Sequence, residues 1–219
     1  MVHLYAADIS NLPDPKGNPE VLENLTDERK KNTMRFVQAA DRKRSLGAGI
    51  LLGKILPLYG ASQEEIRIGA DGKPEVEGIC FNLSHSADIV ICAVGEQAVG
   101  CDVEKIAKAP ERVAEHFFHR HEAEYLRACG EEERAAMFFR LWTMKESYIK
   151  MTGEGMRLPL DSFEFRLDAE KVSVWREGQM LSCHIMEYEI PGYKVSVCAK
   201  EDEFAQYVEY IELGQLLRI

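Results

Sequence analysis

The order of predicted elements constrains this chain more than any single residue does. A strand, a helical stretch and then several strands occur twice, the second series starting near residue 99. HLYAADI opens the first series as a strand. Helices follow from Thr26 to about Tyr59, with Thr26 placed to cap them, Asp27 and Glu28 in the first turn, and Gly60 as the stop. Ile66–Ile68 is a short strand, Asp71-Gly72-Lys73-Pro74 a turn, and Cys80–Ser84, Ile89–Val94 and Ala98–Val103 three further strands. The chain is helical again from Pro110 to about Met151. It then alternates through Phe163–Leu167, Val172–Trp175, Leu181–Glu189, Tyr193–Ala199 and Tyr207–Ile211. The class is α+β. No sequence repeat accompanies the recurrence, so a duplication would be one of topology, with the crevice between residues 1–98 and 99–219 as the natural ligand site.

At 219 residues the chain has the length for a substantial core, in one large domain or two small ones. No apolar run approaches the roughly 18 to 20 residues of a membrane span, and MVHLYAADIS lacks the pattern of a secretory signal. Six cysteines are scattered without a C-x-x-C pair, most of them in strand-like apolar runs, and the expected location is the reducing cytoplasm. A formal charge of −10 argues against a general nucleic-acid or anionic-membrane binder. Between Asp27 and Lys54, however, eight basic residues stand against three acidic ones. Such a run suits a solvated helix face or a site for a compact polyanion, such as a phosphorylated nucleotide.

Two short segments carry chemistry. In VGCDVE (99–104), period-two alternation puts Val99, Cys101 and Val103 on one face and Gly100, Asp102 and Glu104 on the other. The two acids are then about 6.6 Å apart at Cα, and carboxylates so placed repel unless a cation or base lies between them. Mg²⁺ takes one or two carboxylates together with phosphate oxygens; a strand end reaching solvent is the plainer explanation. In LWTMKESYIK (141–150), Met137, Leu141, Met144, Tyr148 and Met151 form one apolar stripe, while Glu146 and Lys150 project away from it on the side of Trp142. An i,i+4 surface pair is the ordinary reading, but the large aromatic suggests that this face too is covered.

FNLSHS (81–86) offers Ser84, His85 and Ser86 beside a turn, with hydroxyls, an imidazole and backbone N–H groups suited to phosphate oxygens. No G-x-S-x-G elbow supports a hydrolase. His116, His119 and His121 in HFFHRH invite a zinc reading. On a continuous helix, though, His121 falls on a different face, and no nearby cysteine completes a set.

Taken together, GKP (72–74), FNLSHS (81–86), VGCDVEKI (99–106) and LWTMKESYIKMTGEGM (141–156) resemble 4′-phosphopantetheinyl transferases of the larger, two-lobed type that activates surfactin synthetase. The similarity extends through LPLDSF (158–163) and GYKVSVCA (192–199), and W-x-x-K-E-S-x-x-K is its most specific part. The resemblance implies two similar pseudo-symmetric lobes, 1–98 and 99–219, each a small antiparallel sheet with helices, around a cleft for coenzyme A and Mg²⁺ (Mn²⁺ being an equally hard alternative). It implies Asp102, Glu104 and Glu146 as metal ligands, with Asp102, Glu146 and Lys150 catalytic. Arg29, Arg44, Ser45, Lys73, Pro74, Ser84, His85 and Lys150 are implied as coenzyme A contacts, the histidine near the 3′-phosphate. Asn32 departs from the pattern by standing where another basic side chain is expected, and Cys101 by replacing an aliphatic residue on the core side.

The expected reaction moves the 4′-phosphopantetheine arm of coenzyme A to a serine of an apo-acyl or apo-peptidyl carrier protein and releases 3′,5′-ADP. Glu146 would take the serine proton and Lys150 would stabilise the leaving oxygen. Carriers are often acidic, so docking has to use local features. Ile106–His121, with Phe117 and Phe118, is the candidate surface. An internally duplicated enzyme can work as a monomer. A coenzyme A-binding module without activity, or a Mg²⁺-dependent phosphohydrolase, are the competing readings.

Overall fold

Both faces of the first strand are buried, and that sets the architecture. Leu4 and Ala6 point into one apolar core, Tyr5 and Ala7 into another. The computed structural model describes residues 1–69, 72–168 and 172–213. Its first half runs β1 (His3–Asp8), α1 (Asp27–Arg35), α2 (Ala39–Ile55), β2 (Arg67–Ile68), β3 (Pro74–Glu75), β4 (Cys80–Ser86) and β5 (Ile89–Gly95). The second begins with β6 (Val99–Lys105), α3 (Glu111–Phe117), α4 (Arg120–Ala128) and α5 (Glu131–Thr152). It ends with β7 (Glu164–Leu167), β8 (Val172–Arg176), β9 (Gln179–Met180), β10 (His184–Ile190), β11 (Tyr193–Ala199) and β12 (Glu209–Tyr210). Asp71 of the expected turn and residues 214–219 lie outside the described residues.

The class is α+β, with several small sheets packed by helices. One sheet has the order β12-β1-β5-β4 and a second β10-β11-β6; all their pairings are antiparallel except β1 with β12. Two small antiparallel sheets, β2-β3 and β7-β8-β9, complete the set. α2 covers the Tyr5 and Ala7 face with Leu46, Ile50, Leu51 and Ile55. α1 starts where the sequence indicates: the Thr26 hydroxyl accepts the Arg29 N–H at 3.3 Å. Gly60 takes the left-handed conformation (φ 78°) that ends the short turn after α2.

The two larger sheets bury the Leu4 and Ala6 face of one against the Val99, Cys101 and Val103 face of the other. Cys101 therefore faces the core as expected, and burial pushes its thiol up to about 12. Beside this core β4 runs along β6, joined by side chains. Asn82 Oδ1 accepts the Cys101 N–H at 2.9 Å, Ser84 Oγ donates to Asp102 Oδ1 at 2.8 Å, and Ser86 Oγ donates to Glu104 Oε2 at 2.7 Å.

The helical stretch expected from Pro110 to Met151 is three helices. His119 and Gly130 adopt extended N-cap conformations that interrupt it. The Glu122 carboxylate accepts the His119 N–H at 3.0 Å, half of a capping box. Three glutamates in the first turn of α5 complement the helix dipole there. α5 then lies directly on β6 and β11. A Cβ on Gly100 would sit 2.1 Å from the Ser147 carbonyl oxygen, so only glycine permits this approach. Ser147 Oγ reaches Ser196 Oγ at 3.3 Å on the neighbouring strand. Among the described residues no helix is long and apolar enough to cross a membrane.

Candidate active site

The close seat of α5 brings its polar side over the end of β6. Asp102 is buried, and its Oδ1 lies 2.7 Å from Lys150 Nζ and accepts from Ser84 Oγ. Its other oxygen, Oδ2, is buried without a hydrogen-bond partner. Burial raises the Asp102 pKa, against the opposing pull of the Lys150 charge. Lys150 Nζ also donates to Ser84 Oγ at 3.1 Å and to the Cys101 carbonyl at 3.2 Å. Burial works to lower its pKa, but the charge and hydrogen bond of Asp102 together with the charges of its other neighbours outweigh this, and the ammonium is held above its ordinary value.

Glu104 and Glu146 complete the group. Burial raises the Glu104 pKa, the Ser86 hydrogen bond lowers it and the charge of Asp102 raises it. Burial also raises that of Glu146, helped by Asp102 and opposed by Lys150. Three carboxylates thus share one electrostatic environment with a single ammonium. The unbonded Oδ2 and the all-oxygen donor set fit a hard divalent cation. Trp142 lines the same cavity as Glu146 and stacks on Phe138 at 5.9 Å and on Phe118 at 6.2 Å.

These residues line a cavity of about 340 Å³ together with Ser84 and His85. Through Leu83 it adjoins a cavity of about 560 Å³ lined by Arg29, Asn32 and Pro74. Through Glu146 and Lys150 it adjoins a third of about 760 Å³, mostly apolar, whose walls include Phe117, Ile149, Met156 and Leu160. Lys73 lines this last cavity and donates to the Lys150 carbonyl at 2.7 Å and the Val99 carbonyl at 3.3 Å, tying β3 to the end of α5. Arg29 donates from Nη2 to the Ser45 carbonyl at 3.2 Å, while its Nε is buried and unbonded. Burial lowers the Arg29 pKa.

Ser45 is turned inward, its hydroxyl 2.8 Å from that of Thr33. Arg44 pairs with Asp41 on its own helix. Its charge still reaches His85, whose pKa is lowered by burial first and then by Arg44, Lys150 and Arg29. The structure therefore gathers Asp102, Glu104, Glu146, Lys150, Ser84 and His85 around one cavity, and puts Arg29, Pro74 and Lys73 around its neighbours. Ser45 and Arg44 stand behind them.

Asn82 and Lys145 escaped the sequence reading, which took Ser86 for a hydroxyl suited to phosphate oxygens. Asn82 and Ser86 alternate with Ser84 along β4, so period two alone would have placed all three on the edge facing β6. Lys145 falls on the core face of α5, at the i+4 position from Leu141. It is fully buried, with Nζ 2.7 Å from Glu122 Oε2 and 2.8 Å from each of the Leu160 and Phe163 carbonyls. Among the two phenylalanines proposed for docking, Phe117 is exposed on the cavity wall and Phe118 is a core residue stacked on Phe138. His116 donates to the Arg112 carbonyl on α3, apart from the other two histidines, which meet at Glu164.

Comparison with known proteins finds relatives along most of the chain. The family model described as "4'-phosphopantetheinyl transferase superfamily" matches residues 98–198. The chain is 34% identical over 208 residues to 4'-phosphopantetheinyl transferase Sfp of Bacillus subtilis (strain 168), covering 91% of this chain and 93% of that one. It is 35% identical to 4'-phosphopantetheinyl transferase ffp of Bacillus subtilis, covering 87% and 88%. To 4'-phosphopantetheinyl transferase gsp of Aneurinibacillus migulanus it is also 35% identical, covering 80% and 76%. Similarity of this degree along nearly the whole chain, with three acids and a lysine gathered where β6 meets α5, makes the protein an enzyme of the 4′-phosphopantetheinyl transferase family.

Proposed function

We propose that the three adjoining cavities hold coenzyme A, and that its 4′-phosphopantetheine arm passes from there to a serine hydroxyl of an apo-acyl or apo-peptidyl carrier protein. One observation carries this assignment: the acidic cavity adjoins on one side a cavity whose walls carry Arg29 and Arg67 beside Glu28 and Glu64, with the two guanidiniums as partners for nucleotide phosphates, and on another a mostly apolar one suited to the pantetheine arm. Arg29, Arg44 and His85 supply positive or proton-donating groups for the 3′-phosphate, with Asn32 in place of a further cation. Ser45 supports Arg29 through its carbonyl. Pro74 borders the nucleotide and Ser84 the pyrophosphate, while Lys73, expected at the nucleotide, lines the cavity assigned to the arm. The central cavity lies at the junction of two lobes, 1–98 and 99–219, whose pseudo-symmetry is supported by the order strand, helices, strands in each half.

Asp102, Glu104 and Glu146 would hold a divalent cation, Mg²⁺ or Mn²⁺, which supplies charge neutralisation at the pyrophosphate. Glu146 accepts the proton of the carrier serine. The serine oxygen bonds to the phosphorus on the pantetheine side while the bond from that phosphorus to the bridging oxygen breaks. Lys150, kept charged by Asp102, stabilises the oxygen that departs with 3′,5′-ADP. The carrier approaches along Ile106–His121, where Phe117 is exposed beside the arm. One chain supplies every group named, which is compatible with a monomer.

Intact-mass measurement on apo-carriers incubated with this protein, coenzyme A and Mg²⁺ tests the assignment. A mass gain of one phosphopantetheine arm, with equimolar 3′,5′-ADP, is expected. Release of 3′,5′-ADP in the absence of any carrier would instead identify a phosphohydrolase.

A further inference from the structure

The proposed reaction uses the acids at the end of β6 and leaves a second titratable cluster unexplained. His119 and His121 meet Glu164 at the first residue of β7. His119 Nδ1 lies 3.3 Å and His121 Nδ1 2.7 Å from the same oxygen, Glu164 Oε2. Among the described residues this is the group of three metal-ligating side chains whose ligand atoms all fall within 4.8 Å of one another. We propose that His119, His121 and Glu164 form a second metal site that takes a borderline transition metal such as Zn²⁺, through two imidazole nitrogens and one carboxylate oxygen.

The geometry is close to what zinc requires. With ligand bonds of about 2.0 to 2.1 Å, a tetrahedral ion holds neighbouring ligand atoms roughly 3.3 Å apart. The His119 and Glu164 atoms already stand at 3.3 Å, and the His121 pair has to open by about 0.6 Å. Residues two apart can share an ion here because His119 is the extended N-cap of α4 (φ −57°, ψ 144°), not a residue inside a helix. This is why a helical face argument separates the two rings while the fold brings their centroids within 4.8 Å. His121 is 59% exposed, so water has access to the open coordination position.

The surroundings select the class of ion. Glu164 Oε1 is occupied by Arg166, at 2.9 Å from Nε and 2.6 Å from Nη2, which fixes the carboxylate and offsets its charge. A hard cation such as Mg²⁺ gains little from one compensated carboxylate, whereas imidazole nitrogens favour Zn²⁺, Ni²⁺ or Cu²⁺. Arg166, Arg120 and Lys145 oppose any cation, and Glu122 partly offsets them. The ion would also replace the long 3.4 Å hydrogen bond from the His121 N–H to His119 Nδ1, leaving the Glu122 half of the capping box in place. Once bound, it would join α4 to β7. The segment preceding β7 includes Leu160, a wall of the 760 Å³ cavity.

The test uses the full chain, stripped of metal by a chelator and kept in excess Mg²⁺ so that hard-oxygen sites are filled. Titration with Zn²⁺ is expected to show one site per chain, weakened at least tenfold in both H121A and E164Q. Zn²⁺ should raise the unfolding midpoint of the parent protein but not of either variant. Co²⁺ should give the intense visible bands of a four-coordinate ion without a sulfur charge-transfer band, a reading on the parent that does not depend on how the variants fold. Equal Zn²⁺ affinity in the three proteins, a weak octahedral Co²⁺ spectrum or a thiolate band would each overturn the proposal.

Discussion

Gly100 and Ser147 meet backbone to backbone. A side chain on Gly100 would fall 2.1 Å from the Ser147 carbonyl oxygen and 2.3 Å from the Met151 amide nitrogen. Those atoms belong to the turn of α5 that carries Lys150, so the contact fixes how far its ammonium stands from Asp102. G100A should destabilise the protein by about 2 kcal/mol through overpacking. It should also lower kcat at least tenfold, because α5 has to move. Denaturant unfolding and steady-state transfer kinetics check the two parts separately.

Removing the Asp102 charge tests the ion pair and the acidic cavity together. D102N leaves Lys150 half-buried without its carboxylate partner, and its ammonium pKa should fall as the raising influence is lost. Transfer should drop by roughly 100-fold or more, and the Mg²⁺ concentration needed for half-maximal rate should rise. A metal dependence identical to that of the parent protein would remove Asp102 from the ligand set.

The pH dependence follows from Glu146. Burial and the nearby Asp102 charge raise its pKa above the ordinary 4.5, so the basic form is lost as pH falls through a value higher than that. In the metal-free protein this carboxylate should therefore titrate above the exposed-glutamate range, and E146Q should lose transfer by orders of magnitude while still binding coenzyme A. Stability runs the other way. A carboxyl with a raised folded pKa binds more protons in the native state, so stability declines as pH rises from 4.5 through the folded value. Metal-free E146Q should therefore be more stable than its parent at pH 7 and show a smaller difference near pH 4.

The buried Lys145–Glu122 pair makes a sharper thermodynamic prediction. Either K145M or E122Q alone should cost about 3 to 5 kcal/mol, since each strands its partner in an apolar interior. The double variant should cost less than the sum of the two. A double-mutant cycle of unfolding free energies measures the difference.

Phe117 and Phe118 should separate binding from folding. F118A removes a core ring stacked on Phe138 at 5.3 Å and should destabilise by about 3 to 5 kcal/mol. F117A should change stability by about 0.5 kcal/mol or less while raising KM for the carrier more than KM for coenzyme A.

Period-two and period-3.6 patterns made much of this molecule legible. The strand faces of VGCDVE and the stripe through Leu141, Met144 and Tyr148 are where alternation puts them. Thr26 and Gly60 mark their boundaries because capping and left-handed turns are local chemistry. Nonlocal contacts were harder. The break at His119 was hard to see because half of its cap depends on the rotamer of Glu122, which Lys145 holds from a different helix. The encounter of Glu164 with two histidines depends on a sheet formed more than forty residues later, and no spacing rule encodes it.

The border between β4 and β6 ends where chemistry begins. Where neighbouring strands ordinarily knit themselves together through amides and carbonyls, Ser84 and Ser86 reach across to Asp102 and Glu104. The fasteners of this joint are thus two of the carboxylates that line the acidic cavity. A change that blunts either acid therefore also cuts a side-chain tie between β4 and β6.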